Sequence, residues 1–297
     1  MSFEPKLQAF NSSVNAVTLG TGDKAITIGG QNVMPFYTFD NAVENTQKIG
    51  LEILDDDKAV ENAKAAESME GVSFVCLHFE SADPNGADTS VEDCVALAKA
   101  VSDATALPLV IMGCKNVEKD AEIFNKISEA LAGKNILVLS AREENYKQVG
   151  AGAGLAYGQK VGAESAVDIN LAKQLNTMLS QLGVDDKSIV MNAGSAAAGY
   201  GYEYVASTLD RIRAAALAQG DAQLAMPIIT PISTETWAVK EALMSEEEMP
   251  EWGSLDERII EMEITTAAAA LTGGSDAVIM RHPEAIKTIA AMIAALN

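Results

Sequence analysis

Eight short apolar runs recur along this chain, each followed by a polar or glycine-containing loop and, in most cases, by a helical pattern, and no other feature limits the fold so much. They begin with Leu51-Glu-Ile-Leu54 and continue through Val72-Ser-Phe-Val-Cys-Leu77, Leu107-Pro-Leu-Val-Ile-Met112, Asn135-Ile-Leu-Val-Leu139 and Gly154-Leu-Ala-Tyr157. They end with Ile189-Val-Met191, Ala225-Met-Pro-Ile-Ile-Thr230 and Ala277-Val-Ile-Met280. Nearly continuous apolar strands are what a parallel sheet buried on both faces requires. The fifth run is the weakest of the set.

Strict alternation of strand and helix favours a closed (β/α)8 TIM barrel over an open doubly wound sheet. The 297 residues suffice for one such barrel, which typically needs about 250. Between the runs, Val167, Leu171, Leu175, Met178 and Leu182 form one apolar stripe that stops before Gly183, as a core-facing helix should. Ser90 with Asp93, Ser140 with Glu143, Ser165 with Asp168 and Ser254 with Glu257 mark expected helix starts.

Ahead of the barrel, Val14-Asn-Ala-Val-Thr-Leu and Lys24-Ala-Ile-Thr-Ile flank Gly20-Thr-Gly-Asp23, the signature of an N-terminal β-hairpin. The expected organisation is a hairpin and lead-in over residues 1–40, ending in Pro35-Phe-Tyr-Thr-Phe39, and a barrel over residues 41–297, with the hairpin lying as a flap over one barrel end.

Composition narrows the partners. Hydrophobic residues make up 48% of the chain, enough for a large core. Asp and Glu number 42 against 21 Lys and Arg, and a net charge of -21 repels phosphate backbones and anionic membranes. No nucleic acid is expected as a partner; the acidity reads either as solubility or as complementarity to a basic protein. The start, Met-Ser-Phe-Glu-Pro-Lys, does not read as an export signal and no apolar run is long enough to span a bilayer, so no membrane association and a cytoplasmic location are expected. The acidic stretch Met244-Ser-Glu-Glu-Glu-Met-Pro-Glu-Trp-Gly253 reads as an irregular exposed loop, either solvated or docking a partner.

In a barrel, functional residues gather on the rim where strands feed helices. The passage Gly194-Ser-Ala-Ala-Ala-Gly-Tyr-Gly-Tyr-Glu-Tyr204 sits there, offering small residues, aromatic rings and, apart from Glu203, no general acid or base. Tyr200 and Tyr202 are the ring candidates, and Tyr204 reads as core. The same rim collects Asp55, His78, Asp83, Asn85, the segment from Gly113 to Asn116, Ser140, Asn192 and Thr230, although turn chemistry alone also explains many of these residue types. His78 and His282 are the only histidines and have no close metal-ligand spacing; His282, before Pro283, reads as a turn residue. Cys76, Cys94 and Cys114 form no C-x-x-C pair, so the chain supplies no recognisable cluster or zinc motif. There is no G-x-S-x-G elbow and no complete phosphate loop. The catalytic residue set is therefore read as empty and the rim as a binding surface.

Several motifs together resemble the small (delta) subunit of the corrinoid iron-sulfur protein, of the acetyl-CoA synthase and decarbonylase system. They are Val17-Thr-Leu-Gly with Ile26-Thr-Ile-Gly-Gly30, Met34-Pro-Phe-Tyr-Thr-Phe39, Ser81-Ala-Asp-Pro-Asn-Gly86, Ala141-Arg-Glu-Glu-Asn-Tyr146, Gly199-Tyr-Gly-Tyr-Glu-Tyr204 and Ala225-Met-Pro227. The resemblance implies a TIM barrel paired with a large subunit that carries a [4Fe-4S] cluster and a corrinoid domain. It implies a base-off cobalamin or related corrinoid lying between that domain and the barrel mouth. Methyl transfer would run from a methyl-tetrahydropterin, such as methyltetrahydrofolate, to acetyl-CoA synthase, with the methyltransferase and the synthase as transient partners in the Wood-Ljungdahl, or acetyl-CoA, pathway of one-carbon metabolism. The lack of D-x-H-x-x-G and of cluster cysteines fits a covering subunit of a heterodimer. Carried onto this sequence, the cofactor-binding set is Asp83, Asn85, Ser140, Asn192, Gly199, Tyr200, Gly201 and Tyr202, and the Ala-rich Gly194-Ser-Ala-Ala-Ala198 departs from the family's wording of that loop.

The alternative is a pterin-dependent methyltransferase of the related barrel type. In that reading Asp55, Asn116 and Asn192 would hydrogen-bond the pterin at the strand ends.

Overall fold

Parity along the strands decides what faces the interior. In the computed structural model, which describes residues 9–37 and 41–297, β3 (Lys48–Leu54), β4 (Val72–His78), β5 (Leu109–Met112), β6 (Leu137–Ala141), β7 (Lys160–Glu164), β8 (Ile189–Asn192), β9 (Ile229–Pro231) and β10 (Ala277–Met280) form one parallel sheet. Consecutive strands are neighbours from β3 to β8, and β10 pairs with both β3 and β9. The ring closes between β8 and β9, where Met191 N donates to Pro227 O at 2.8 Å and Met191 bridges Ile228 in parallel. This is the expected (β/α)8 barrel. Residues 1–8 and 38–40, and with them the end of the Pro35-to-Phe39 segment and the expected boundary after residue 40, lie outside the described residues.

One side of the strands, with Ile53, Val75, Leu77, Ile111, Val138 and Met191, packs against the helices. The helices are α1 (Ala59–Ala66), α2 (Val91–Ala104), α3 (Val117–Ala130), α4 (Tyr146–Val149), α5 (Ile169–Leu182), α6 (Tyr202–Ala218), α7 (Ser233–Thr236), α8 (Lys240–Leu243), α9 (Leu255–Gly273) and α10 (Pro283–Leu296). The other side, with Phe74, Val110, Leu137, Leu139, Val190 and Ile279, fills the barrel. Two inward positions are glycine because the space is taken: a Cβ at Gly50 would lie 2.1 Å from the Phe74 ring, and one at Gly162 2.6 Å from Leu139 Cδ1.

Gly162 also explains a correction. The fifth barrel strand is Lys160–Glu164, and residues 154–157 fall largely in a turn of π-helix, Gly150–Ala156, that continues α4. With glycine at its inward position, β7 shows only Val161 and Ala163 as apolar residues, so the nearby Gly154-Leu-Ala-Tyr157 gives the stronger hydrophobic signal although it packs as helix. The stripe expected on α5 also shifts: Ala172, Leu175, Asn176 and Leu179 are its buried residues, and Gly183 ends the helix at φ 110°. Ser90 caps α2 as expected, accepting from Asp93 N at 3.1 Å. Asp168 caps α5 in place of Ser165, Ser254 holds the α9 cap position without a side-chain bond, and Ser140 belongs to β6.

The hairpin β1 (Val17–Leu19) and β2 (Ile26–Ile28) lies where expected, over one barrel end. Val17, Leu19 and Ile28 join the apolar cluster of the barrel interior. Asn135, just before β6, accepts from Gly20 N at 2.9 Å through its carbonyl and donates through Nδ2 to Thr18 O and Gly20 O at 2.9 and 3.0 Å. The hairpin thus plugs the end where strands begin and leaves the opposite mouth available. Among the described residues no helix is long and apolar enough to cross a membrane.

Candidate functional site

At the mouth the barrel interior changes from apolar to polar. A register break in the β6–β7 pairing between Val138 and Ala141 is the key local feature. Leu137 and Leu139 face in and Val138 faces the helices, but so does Ala141, so the bulge turns Ser140 inward. Asn192, at the inward end of β8, donates from Nδ2 to Ser140 Oγ at 3.1 Å and accepts from Gly194 N at 3.1 Å. Both side chains are buried.

Around this pair lies a chamber of about 60 Å³ lined by Asp120, Ser140, Glu164, Asn192, Ser195 and Pro231, among others. Arg142 Nη2 meets Glu164 Oε1 at 2.9 Å, and its Nη1 donates to Lys115 O at 3.1 Å. Asp120, on the first turn of α3, folds over Gly113, where its Oδ1 accepts from Cys114 N at 2.8 Å. Burial pushes its carboxyl above the usual range, against the opposing bonds from Cys114 and the charge of Arg142. Lys115 Nζ stands 3.6 Å from Glu235 Oε1 on α7, an exposed ion pair between the segments after β5 and β9.

On the other side of the same layer, Glu52 Oε1 meets His78 Nδ1 at 2.8 Å and Glu52 Oε2 accepts from Arg281 Nε at 2.8 Å. Burial raises the Glu52 carboxyl, but the His78 hydrogen bond and the Arg281 charge outweigh it and bring it down to about 2. Arg281 stacks over Trp237 with its guanidinium carbon 4.8 Å from the ring centroid. Trp237 Nε1 donates to Glu263, which also accepts the backbone N–H groups of Arg281 and His282. Burial holds the Glu263 carboxyl above its usual range. The sequence reading missed this network, although an acid inside Leu51-Glu-Ile-Leu54 was its signal.

The remaining candidates sit apart from the chamber. Asp83 and Asn85 lie on the loop after β4, and Asp83 Oδ1 accepts both Asn85 N, at 2.9 Å, and Asn85 Nδ2, at 3.1 Å, so each is engaged in its own turn. Gly199 and Tyr200 line a neighbouring open groove of about 910 Å³ between the loop after β8 and the segment from Glu235 to Glu241. Tyr200 is 45% exposed and donates from Oη to Glu241 Oε2 at 2.6 Å. Gly201 is the left-handed residue before α6. Tyr202 points into the core with its hydroxyl unpartnered, whereas Tyr204 is 68% exposed, the reverse of the expected assignment. The first turn of α6 sets this, since residues two apart lie on different faces.

Asp55 accepts Ser81 Oγ at 2.6 Å, Asn116 accepts Lys119 N at 3.0 Å as the α3 cap, and Thr230 bonds Ser275. The first two therefore spend their side chains on local loops. His282 caps α10, accepting from Glu284 N at 3.2 Å, and contacts Asp256. Burial pushes the thiols of Cys94 and Cys114 to about 12 and about 11, which keeps them protonated and inert. The acidic stretch 244–253 is less irregular than expected: Glu248 accepts Ser245 N and Oγ at 2.9 Å, Arg258 donates to Glu241 O and Met244 O at 2.9 and 3.0 Å, and Trp252 lies beneath Lys240 and Arg258.

The fold places the protein among the (β/α)8 barrels of the shape seen in dihydropteroate synthases. The enzyme of Xanthomonas albilineans superposes with a TM-score of 0.59 at 14% identity, over 94% of this chain and 98% of that one. The Stenotrophomonas maltophilia enzyme gives 0.58 at 14% identity, over 86% and 95%. Sequence then fixes the family. The family model described as CO dehydrogenase/acetyl-CoA synthase delta subunit matches residues 16–294, and the chain belongs to that family. Among its relatives, the acetyl-CoA decarbonylase/synthase complex subunit delta of Archaeoglobus fulgidus is 30% identical over 97% of this chain and 69% of its own length. The subunit of the same name from Methanopyrus kandleri is 30% identical over 91% and 70%.

Proposed function

We propose that this chain is the small subunit of a corrinoid iron-sulfur methyl-carrier complex. Its barrel mouth covers a base-off corrinoid held by a larger, cluster-bearing subunit while a methyl group passes from a methyl-tetrahydropterin to acetyl-CoA synthase. Family membership over residues 16–294 carries this reading.

The residues at the mouth fit such a role. A chamber of about 60 Å³ has room for about four waters, so a macrocycle would lie across the mouth with its polar periphery facing Ser140, Asn192 and Ser195. The Ser195 hydroxyl is buried without a partner, which leaves it free for such a contact. Gly199 presents backbone with open space above it, Gly201 turns the chain into α6 beside the Tyr204 ring, Tyr200 offers an exposed ring edge, Tyr202 props the loop from beneath, and Asp83 and Asn85 extend the rim on the side of β4. His78 is buried at 7% exposure and both His282 nitrogens are engaged, which favours a cover over an axial ligand.

The corrinoid, when bound, supplies the methyl-carrying chemistry. This chain's residues bind its edge, orient it and exclude water. A net charge of -21 favours a partner with a basic face, in the cytoplasm, where the two subunits would meet the methyltransferase and the synthase.

The test is an anaerobic absorption spectrum of the chain supplied with cobalamin, alone and with the candidate large subunit. Base-off corrinoid retained only by the pair supports the reading. Retention by the chain alone, or by neither, overturns it. Binding of methyltetrahydrofolate to the isolated chain would favour a pterin-dependent methyltransferase instead.

A further inference from the structure

We propose that the base of the barrel, at the end away from the polar mouth, holds one dehydrated monovalent cation of the potassium kind. Its ligands are the side-chain oxygens of Gln31, after the hairpin, and of Glu44 and Gln47, just before β3. The ion is independent of whatever binds at the mouth.

Asp276, the residue before β10, sets the place. Its Oδ1 accepts from Gln31 Nε2, and its Oδ2 accepts from Arg213 Nη2 and, at 2.6 Å, from Ile228 N. Its carbonyl accepts from Lys48 N at 3.0 Å. That bond extends the parallel register of Ala277 with Lys48 and so sets Gln47 beside Asp276. Gln47 Nε2 in turn donates to Glu44 Oε1 at 2.9 Å, and the same oxygen accepts from Phe36 N at 2.6 Å. Each glutamine thus spends its NH2 group on a carboxylate, Gln31 on Asp276 and Gln47 on Glu44. Flipping either amide would set oxygen against oxygen, so the direction of both side chains is fixed.

That direction leaves three acceptors unspent. Gln31 Oε1, Gln47 Oε1 and Glu44 Oε2 are buried and have no hydrogen-bond partner among the described residues. Gln31 and Gln47 are only 6% and 8% exposed. A buried acceptor without a donor is costly, and three around one aspartate call for a shared occupant.

Charge selects its kind. Two carboxylates, Asp276 and Glu44, stand against one guanidinium, Arg213. Arg213 turns Nε and Nη2 to Gly274 O at 2.8 and 2.6 Å, which puts its unpartnered Nη1 on the far edge of the planar fork. Lys48 shares the inward side of β3 with Gly50, opposite to Gln47. One positive charge therefore balances the site. A water has two protons for three acceptors. Calcium and magnesium draw on several carboxylates or keep bound waters, whereas this set offers two neutral amide oxygens and one carboxylate oxygen. Such carbonyl oxygens readily replace the hydration shell of potassium.

Thermal melts of the full chain at fixed ionic strength test the site, with tetramethylammonium chloride replaced stepwise by potassium chloride. Tetramethylammonium presents only methyl groups to an oxygen and serves as the blank. Potassium should raise the midpoint in a saturable way. Gln47→Leu and Gln31→Met should each abolish the saturable part, and either one suffices if the other does not fold. No saturable rise in the wild type, or an equal rise in the variants, overturns the site. Crystals of the wild type grown with thallium(I) in place of potassium give a readout that needs no variant. An anomalous peak in contact with Gln31 Oε1, Glu44 Oε2 and Gln47 Oε1 supports the assignment, and water alone at those oxygens overturns it.

Discussion

Glu52 and Arg281 meet inside the upper layer of the barrel, Oε2 to Nε at 2.8 Å, while the other Glu52 oxygen is 2.8 Å from His78 Nδ1. A buried carboxylate in this position depends on its partners. Glu52→Gln should destabilise the protein at neutral pH by about 3 kcal/mol. Because the folded carboxyl is brought down to about 2, the wild-type advantage is fully present above the unfolded carboxyl range. It is lost as the pH falls from about 4.3 towards the folded value. Urea denaturation of both proteins across that window should show the two curves converging; a difference independent of pH would refute the ion-pair account.

Arg213 supplies a second test at the opposite end of the barrel. Its side chain is wholly buried, with Nε and Nη2 donating to Gly274 O at 2.8 and 2.6 Å and Nη2 paired with Asp276, whose Oδ2 also accepts Ile228 N at 2.6 Å. Arg213→Met should cost about 3–5 kcal/mol, since it strands a buried carboxylate. Asp276→Asn in the same background should recover part of the loss. Chemical denaturation of the single and double variants measures the coupling, and strict additivity would show that the pair is not the cause.

Much of this architecture was legible because parallel strands must be apolar on both sides, as Val72 to Leu77 and Ala277 to Met280 illustrate. What escaped were positions whose environment depends on pairing. Ser140 is legible as a rim residue beside Asn192, but its other reading as a helix start fails because the β6–β7 bulge keeps it in the strand and turns it inward. β7 was hidden because the strand gives up a side chain at Gly162 to admit Leu139. Tyr202 and Tyr204 exchanged places because only the exact start of α6 decides which one faces the core. Glu52 was passed over because its partners, His78 and Arg281, are 26 and 229 residues away in sequence.

The close approach of Gly50 to Phe74 can be tested by volume exchange. A Cβ at position 50 would sit 2.1 Å from the ring, within the plugged barrel interior, where nothing can move out of the way cheaply. Gly50→Ala should cost about 1–3 kcal/mol or more, and Phe74→Leu should lower that cost by making room. The thermal midpoints of the four proteins in the cycle decide it. An equal effect of Gly50→Ala in both backgrounds would place the strain in the backbone.

Tyr200 and Tyr202 separate covering from packing. The Tyr202 hydroxyl is buried without a partner, and burial holds its phenol well above the usual range. Tyr202→Phe should therefore be neutral or stabilising by about 1 kcal/mol, because it removes an unsatisfied polar atom and keeps the ring. Tyr200→Phe removes the 2.6 Å bond to Glu241 that ties the loop after β8 to α8 across the open groove. Its effect should appear as faster hydrogen exchange in residues 196–200 and 240–243, with an unchanged melting temperature. If this loop covers the corrinoid edge as proposed, Tyr200→Phe should also speed corrinoid loss from the two-subunit complex while Tyr202→Phe should not. The opposite ranking would mean that Tyr202 reaches the cofactor and that the α6 entry rearranges when the partner binds.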